Sequence, residues 1–220
     1  MGTELPKPFL KISGKPILEH TLHRFAGLES LRQVIVAASR DDFERIDRIL
    51  NRLPDRIESA VVEGGSERQD SIYNALLKSD DSVGLIAIHD AVRPLVTEQE
   101  IRSCLEAAAR EGAAILAAPM RDTIKLVDNE GRIRETPDRE VLMRAQTPQI
   151  FRRDLILRAY ENARTKNLMG TDDAALAEAI GVRVQIVEGS EQNIKITWPV
   201  DLKLAELLLA AKDQNKEGSR

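Results

Sequence analysis

At 220 residues, the chain is long enough to bury a core without disulfides or metals, and we expect a single domain over residues 1–211 followed by a flexible polar tail at 212–220. Its 42% hydrophobic and 31% charged residues and net charge of −4 argue against nucleic acid as a partner, so any anion site must be local. Cys104 is the only cysteine, which excludes an intramolecular disulfide and favours a cytoplasmic location, and no apolar run is long enough to span a membrane.

Strands and helices alternate along the first half of the chain. Apolar runs typical of buried strands occur at 34–38, 59–62, 85–88 and 113–118, and amphipathic patterns predict helices at 17–25, 41–53, 67–77 and 98–111. No two-residue hairpin turn joins one strand to the next, so the helices must connect them. The sequence therefore predicts an α/β fold with a doubly wound, mostly parallel sheet.

The pattern changes after Pro119. Two partly alternating runs, 123–127 and 132–135, flank a turn-forming segment at 128–131, which predicts a protruding hairpin over about 121–145, here called the β-arm. Beyond it we predict helices at 151–166, 172–180 and 202–211 and a strand at 182–187, and we interpret 144–149 as a loop.

The segment 85–94 is the first candidate for a functional site. Its apolar run ends abruptly in His-Asp-Ala-Val-Arg-Pro, which places Asp90 and Arg93 just beyond a strand. Ligands of open α/β sheets bind beyond the carboxyl ends of the strands. Asp90 could hold Mg²⁺ or simply cap the turn, and the nearby arginine favours the ligand role.

A second candidate is the glycine segment between a strand and a helix. Gly64 and Gly65 allow close approach of a flat or anionic ligand, and the following helix offers free N–H groups. The alternative is a tight turn with Ser66 as the N-cap of the helix.

Two lysines remain ambiguous from pattern alone. Lys195 lies in the apolar, β-branched run 193–197, where it either faces an anion or points to solvent from an edge strand. Lys7 lies between two prolines and suits either a solvated loop or an anion site. The acids of Thr171-Asp172-Asp173 are explained most simply as the first turn of a helix.

Seven motifs in register over residues 6 to about 206 resemble one family, the 2-C-methyl-D-erythritol 4-phosphate cytidylyltransferases of the non-mevalonate isoprenoid pathway. They are Pro6-Lys7-x-Phe9-Leu10 with Gly14-Lys15-Pro16, Gly64-Gly65-x-x-Arg68-x-x-Ser71, His89-Asp90-Ala91-x-Arg93-Pro94, Asp122-Thr123-Ile124-Lys125, Thr147-Pro148-Gln149-x-Phe151, Thr171-Asp172-Asp173, and Asn193-Ile194-Lys195-Ile196-Thr197-x-Pro199-x-Asp201. The resemblance implies a Rossmann-like nucleotidyltransferase that transfers CMP from CTP to 2-C-methyl-D-erythritol 4-phosphate, releases pyrophosphate, and forms a homodimer through an exchanged β-arm.

The resemblance also implies roles for individual residues. Lys7 and Lys195 would be catalytic, stabilising negative charge around the α-phosphate of CTP, and Asp90 would hold Mg²⁺ on the triphosphate. The nucleotide would be bound by Gly64, Gly65, Arg68, Ser71 and Asp90. The polyol phosphate would be bound by Arg93, Thr123, Thr171 and the partner subunit's Arg139.

In one respect the sequence departs from the family. There, a first strand and a glycine-rich, arginine-bearing loop precede the lysine segment, whereas this sequence begins at Met1-Gly2. We therefore expect the 220-residue chain to bind CTP weakly and to turn over slowly. Two alternatives remain open at this point, namely a ribitol-5-phosphate cytidylyltransferase and a catalytically impaired nucleotide-binding homologue.

Overall fold

The computed structural model describes residues 5–217. The strands are β1 (Lys11–Ile12), β2 (Lys15–Pro16), β3 (Gln33–Ala38), β4 (Glu58–Glu63), β5 (Leu85–Ile88), β6 (Ala113–Pro119), β7 (Leu126–Val127), β8 (Ile133–Glu135), β9 (Met143–Arg152) and β10 (Gln185–Glu188). The helices are α1 (Ile17–Ala26), α2 (Phe43–Leu50), α3 (Arg68–Lys78), α4 (Glu98–Glu111), α5 (Arg153–Lys166), α6 (Asp173–Glu178) and α7 (Pro199–Glu217). The predicted tail therefore begins inside α7, and its residues 218–220 lie outside the described residues.

The main sheet has four strands in the order β10-β6-β9-β5. Strands β10 and β6 pair in parallel, as do β3 and β4 in a separate two-stranded sheet. Strand β9 alone reverses direction in the main sheet, pairing antiparallel with both β5 and β6. The predicted α/β fold with mostly parallel strands is confirmed, with β9 as its antiparallel member.

Sequence patterns missed β9, because the segment 144–149 was interpreted as a loop. It contains Pro148, which cannot donate to a ladder, and polar side chains that normally mark exposed positions. In the structure the pairing with β6 shifts register between Ile115 and Ala117, which accommodates the proline. Gln146 and Gln149 are buried and bond to residues far away in the sequence. No local pattern reveals such partners.

The core lies on both faces of the main sheet, as a doubly wound fold requires. Alternation along β6 sends Ile115 to one face, where it contacts Phe151 and Ile156 of the cluster under α5. Leu116 points to the other face, where Cys104 of α4 lies. Burial raises the pKa of the Cys104 thiol to about 12, so this cysteine is a core residue rather than a nucleophile.

Strands β3 and β5 line opposite sides of a crevice. The two strands do not pair with each other. Within the described residues, each is an edge strand of its own sheet. The crevice has a volume of about 1200 Å³ and is lined by residues 33–37 and 84–92 together with Arg68, Ser71 and Lys195. Asp90, which follows β5, is among the residues that line this crevice.

The predicted β-arm is present as the antiparallel pair β7 and β8, followed by a 3₁₀ turn at Arg139–Val141. Its side chains are exposed, including Val127 at 55%, Ile133 at 64% and Val141 at 76%. Among the described residues, no helix is long and apolar enough to span a membrane.

Candidate active site

Asp90 follows β5 directly and is held in a tight turn. Its backbone N–H donates to the hydroxyl of Thr147 at 3.0 Å, and its carbonyl accepts from the N–H of Arg93 at 3.0 Å. The side chain is 12% exposed. The turn thus fixes a carboxylate at the edge of the crevice, with little freedom to move.

Three cations surround this carboxylate. Oδ2 lies 3.1 Å from Nε of Arg93 and 3.3 Å from Nζ of Lys195, and Oδ1 lies 3.9 Å from Nε of Arg68. Burial alone would raise the pKa of Asp90, but the charges of Lys195, Arg93 and Arg68 and the hydrogen bond from Arg93 lower it below its usual value. Asp90 is therefore ionised at neutral pH, in a site with excess positive charge.

Arg93 points inward. Its Nη1 donates to the carbonyl of Asn193 at 2.7 Å, and its side chain is 12% exposed. Its own carbonyl accepts from Nε2 of His89 at 3.1 Å, which assigns the proton to that ring nitrogen. Burial lowers the pKa of His89 to about 4, so the ring is neutral at physiological pH. In this structure Arg93 thus joins Asp90 to the segment that carries Lys195.

Lys195 lies on an extended segment without regular strand pairing. The N–H of Ile196 donates to the carbonyl of Val92 at 2.9 Å, which aligns the segment with the turn after β5. Asn193, which is fully buried, donates to the carbonyl of Thr147 at 2.9 Å. Of the two alternatives for Lys195, the structure shows the one in which the ammonium faces an anion, since it lies against Asp90 with 47% of its side chain exposed.

The glycine segment is shaped by contacts between backbone and side chain. The N–H of Gly64 donates to the carbonyl of Ala38 at 2.8 Å, and that of Gly65 donates to the hydroxyl of Ser71 at 3.0 Å. A Cβ on Gly65 would lie 2.1 Å from Cβ of Asp70, so only glycine fits there. Ser71 therefore organises this loop from within. Helix α3 begins one residue later than predicted, with Glu67 rather than Ser66 at its N-cap.

Asp173 lies in the first turn of α6, as the sequence indicated, but it also has distant partners that sequence patterns did not identify. It is fully buried, and its carboxylate accepts two hydrogen bonds from Arg68, at 3.1 and 2.7 Å, and one from the Tyr160 hydroxyl at 2.5 Å. Burial, followed by the charge of Asp173, raises the pKa of Tyr160, which keeps it protonated as a donor. One signal was available: Asp172 already caps α6 through the N–H of Ala175, which leaves the second acid without a local role.

The residues predicted for the polyol phosphate are not all brought together. Thr171 is exposed and lines a cavity of about 130 Å³ together with Arg68 and Asp173. Thr123 and Arg139 lie on the exposed β-arm. Within the described part of the chain neither contacts the cluster around Asp90, and Arg139 donates instead to the backbone carbonyl of Arg121 at 3.1 Å.

Lys7 lies in a 3₁₀ turn, Lys7–Phe9, in which the side chain of Phe9 is buried. Phe9 is buried in a cluster that also includes Ala38, at the end of β3, and Ala91, next to Asp90. Lys7 therefore lies two residues from a side chain that shares a cluster with the end of β3 and with Ala91. Over residues 5–217 it forms no ion pair.

Asp90 is the carboxylate at this edge that a divalent cation could use. No group of three or more His, Cys, Asp or Glu side chains among the described residues could enclose a metal ion. Glu191, four residues before Lys195, pairs with Arg121 at the base of the β-arm. A site with one protein carboxylate suits Mg²⁺, which in proteins is bound by one or two carboxylates with phosphates and water completing its shell.

Comparison with known proteins assigns this chain to one family. The family model described as IspD, 2-C-methyl-D-erythritol 4-phosphate cytidylyltransferase, matches residues 1–211. The protein of that name from Pelotomaculum thermopropionicum is 42% identical over 214 residues, covering 96% of this chain and 90% of its own. That from Halalkalibacterium halodurans is 43% identical over 208 residues, covering 94% and 90%.

Solved structures agree. The 4-diphosphocytidyl-2C-methyl-D-erythritol synthase from Anaerococcus prevotii superposes with a TM-score of 0.87 at 30% identity, covering 95% of this chain and 92% of its own. The 2-C-methyl-D-erythritol 4-phosphate cytidylyltransferase from Thermus thermophilus gives a TM-score of 0.78 at 36% identity, covering 93% and 94%. The chain belongs to the 2-C-methyl-D-erythritol 4-phosphate cytidylyltransferase family.

Proposed function

We propose that this protein transfers CMP from CTP to 2-C-methyl-D-erythritol 4-phosphate and releases pyrophosphate, a step of isoprenoid precursor biosynthesis. Family membership over residues 1–211 supports the reaction. The observation that carries it in the structure is the ionised Asp90 with Lys195, Arg93 and Arg68 around it. Such a cluster provides both a cation ligand and a set of fixed positive charges for a triphosphate.

The chemistry requires little beyond positioning and charge. An oxygen of the acceptor phosphate, already anionic near neutral pH, forms a bond to the α-phosphorus of CTP. The bond from that phosphorus to the bridging oxygen breaks, and its electron pair leaves on pyrophosphate. The attacking oxygen carries no proton, so no general base is needed. We therefore give the neutral His89 no role in proton transfer. Lys195 and Lys7 would stabilise the charge that develops on the α-phosphate oxygens.

The nucleotide would lie between the glycine segment and Asp90. Gly64 and Gly65 leave the backbone open to a flat base, and the bond from Gly65 to Ser71 keeps that backbone in place. Arg68 extends from the start of α3 toward Asp90, at 3.9 Å. With CTP bound, phosphate oxygens can take over the contacts that Lys195 and Arg68 now make with Asp90.

Asp90 would then hold Mg²⁺ together with the phosphates. The fit is supported by its position at the edge of the crevice and by its ionised state. Bound there, the cation would neutralise charge on the triphosphate and help orient it.

The acceptor would be bound by Arg93, Thr171, Thr123 and the partner subunit's Arg139, in a homodimer formed through the β-arm. Exposed apolar side chains support that use of the arm, since Val127, Ile133 and Val141 are more than half exposed. We assign the enzyme to the cytoplasm, because its one cysteine is a buried free thiol.

The test is an assay of the purified 220-residue chain with CTP, Mg²⁺ and each of two polyol phosphates. Enzyme is kept in excess over CTP, so that slow turnover is still measured. We expect pyrophosphate release only with 2-C-methyl-D-erythritol 4-phosphate. The second product, identified by mass, should be CMP joined to the phosphate of that acceptor. Turnover restricted to ribitol 5-phosphate would refute the proposed acceptor. Absence of turnover with both acceptors would refute the proposed function.

A further inference from the structure

The ion pair between Arg68 and Asp173 joins two parts of the site that lie far apart in the sequence. Arg68 opens α3, directly after the glycine segment, and Asp173 opens α6, two residues after Thr171. The guanidinium meets the fully buried carboxylate through two parallel hydrogen bonds at 3.1 and 2.7 Å. A forked pair of this kind fixes direction as well as distance.

The same guanidinium faces Asp90 on its other side. Its Nε lies 3.9 Å from Oδ1 of Asp90, while both of its Nη atoms bond to Asp173. Tyr160, also buried, donates one further hydrogen bond to Asp173, in addition to the two from Arg68. The orientation of Asp173 therefore decides where the positive charge of Arg68 lies relative to the nucleotide site.

A second connection joins the same two segments. The side-chain amide of Gln69 donates to the carbonyl of Leu168 at 3.0 Å and accepts from the N–H of Gly170 at 3.1 Å. A Cβ on Gly170 would lie 2.7 Å from Cδ2 of Leu176, so this loop lies closely against α6. The segment that carries Thr171 thus cannot shift without moving the start of α3.

We propose that Asp173 is a positioning residue that acts through Arg68 and couples the acceptor segment around Thr171 to the nucleotide site. The inference rests on the proposed function for where the two substrates lie. Ordering the Thr171 segment orients Asp173, and Asp173 orients Arg68 toward the nucleotide. Each substrate therefore raises the affinity for the other, and by the same factor, because a coupling free energy is reciprocal. A purely structural ion pair would stabilise the fold without linking the two affinities.

The experiment measures this link by isothermal titration. The probe is α,β-methylene-CTP, which cannot transfer CMP, titrated with Mg²⁺ into the full chain with and without saturating 2-C-methyl-D-erythritol 4-phosphate. In the wild-type chain we expect the acceptor to raise nucleotide affinity about 5-fold or more. In Asp173→Asn, which keeps the side-chain shape but removes the charge that holds the fork, the ratio should fall toward 1.

Tyr160→Phe is the matched control. It removes the other hydrogen bond to Asp173 but leaves the bonds to Arg68, so the melting temperature should fall while the affinity ratio stays at the wild-type value. If Asp173→Asn does not fold, Arg68→Lys serves instead, since it keeps the charge and loses the fork; its ratio should also fall. A wild-type ratio near 1, or a wild-type ratio retained in Asp173→Asn or in Arg68→Lys, would overturn the proposal.

Turnover of the wild-type chain is measured first, which separates the two hypotheses. Lack of pyrophosphate release with this acceptor refutes the proposed function. Turnover without coupling refutes only the role of Asp173.

Discussion

The cluster around Asp90 and the β-arm carry different residues of the proposed site, and their construction differs. In the cluster, the side chains of Asp90 and Arg93 are each 12% exposed and bond to each other and to distant backbone. In the β-arm, Arg139 and Thr123 are exposed, and the strands that support them are two and three residues long. The cluster is organised by contacts within the chain, whereas most side chains of the β-arm are exposed.

The difference follows from the cost of burying charge. A carboxylate removed from water is stable only with partners, so Asp90 requires the three cations around it. A two-stranded hairpin buries too little apolar surface to be stable alone, so the β-arm gains order only by contact with another surface. Changes in the cluster should therefore affect the chemistry and the fold, and changes in the arm should affect acceptor binding only.

The largest effect is expected for Asp90→Asn. The neutral amide binds a divalent cation more weakly than a carboxylate does, and it leaves Lys195 and Arg93 without their counter-ion. We expect kcat/KM for CTP to fall by about 10²- to 10³-fold, measured by pyrophosphate release. Asp154→Asn, at a carboxylate that is 75% exposed on α5, is the matched control and should retain wild-type rates. An Asp90→Asn rate within a few-fold of wild type would remove Asp90 from the mechanism.

Acidification should weaken the fold through His89. The pKa of His89 is about 4 in the folded chain, below its ordinary value of 6.5. Between these two pH values the unfolded chain binds a proton at His89 and the folded chain does not. The free energy of unfolding should therefore be highest above pH 6.5 and decrease as the pH falls from 6.5 to about 4. The loss from this group would approach about 3 kcal/mol at the lower end.

Urea unfolding of the wild-type chain and of His89→Gln, across the same pH range, checks this expectation. The glutamine amide can still donate to the carbonyl of Arg93 but does not titrate. The wild-type chain should thus lose more stability on acidification than the variant. Parallel curves for the two proteins would show that His89 is not the group responsible.

A smaller effect is expected for Arg139→Ala in the β-arm. Loss of one charge-assisted hydrogen bond should raise KM for the acceptor about 10-fold, while KM for CTP stays unchanged. Steady-state kinetics with each substrate varied in turn measures both. A rise in KM for CTP at saturating acceptor would contradict the assignment of Arg139 to the acceptor.

A mixture of variants tests whether Arg139 acts across a dimer. With the acceptor below its KM, Arg139→Ala and Lys195→Ala are each impaired alone. Mixed, they should recover about a quarter of wild-type activity, because random pairing gives half heterodimers with one intact site each. No recovery after subunit exchange would place Arg139 in the site of its own chain.

The smallest effect is expected for Arg132→Ala near the tip of the β-arm. Arg132 pairs with Glu130, but the two side chains are 76% and 64% exposed. Exposed pairs contribute about 0–1 kcal/mol, so the melting temperature and both KM values should match wild type. A loss of activity in Arg132→Ala would show that other parts of the β-arm besides Arg139 contact the acceptor.

Sequence patterns alone located most strands and helices in the first half of the chain. Strand β5 and the turn that carries Asp90 were predicted from a short apolar run and its abrupt end. Helix α4 was predicted with the bounds that the structure shows, Glu98–Glu111. The motifs also identified the family. These features have local signals, because the hydrophobic period and turn chemistry are set by near neighbours in the sequence.

Only the tertiary structure decided β9 and Asp173. Gln149 bonds to Asp172 and to the N–H of Ala174, and Asp173 bonds to Arg68, which lies 105 residues away. Each of these polar side chains is buried because its partner arrives from elsewhere in the fold. Composition and hydrophobic periodicity describe a residue by its neighbours along the chain. The burial of a polar side chain depends instead on which distant group forms a hydrogen bond with it.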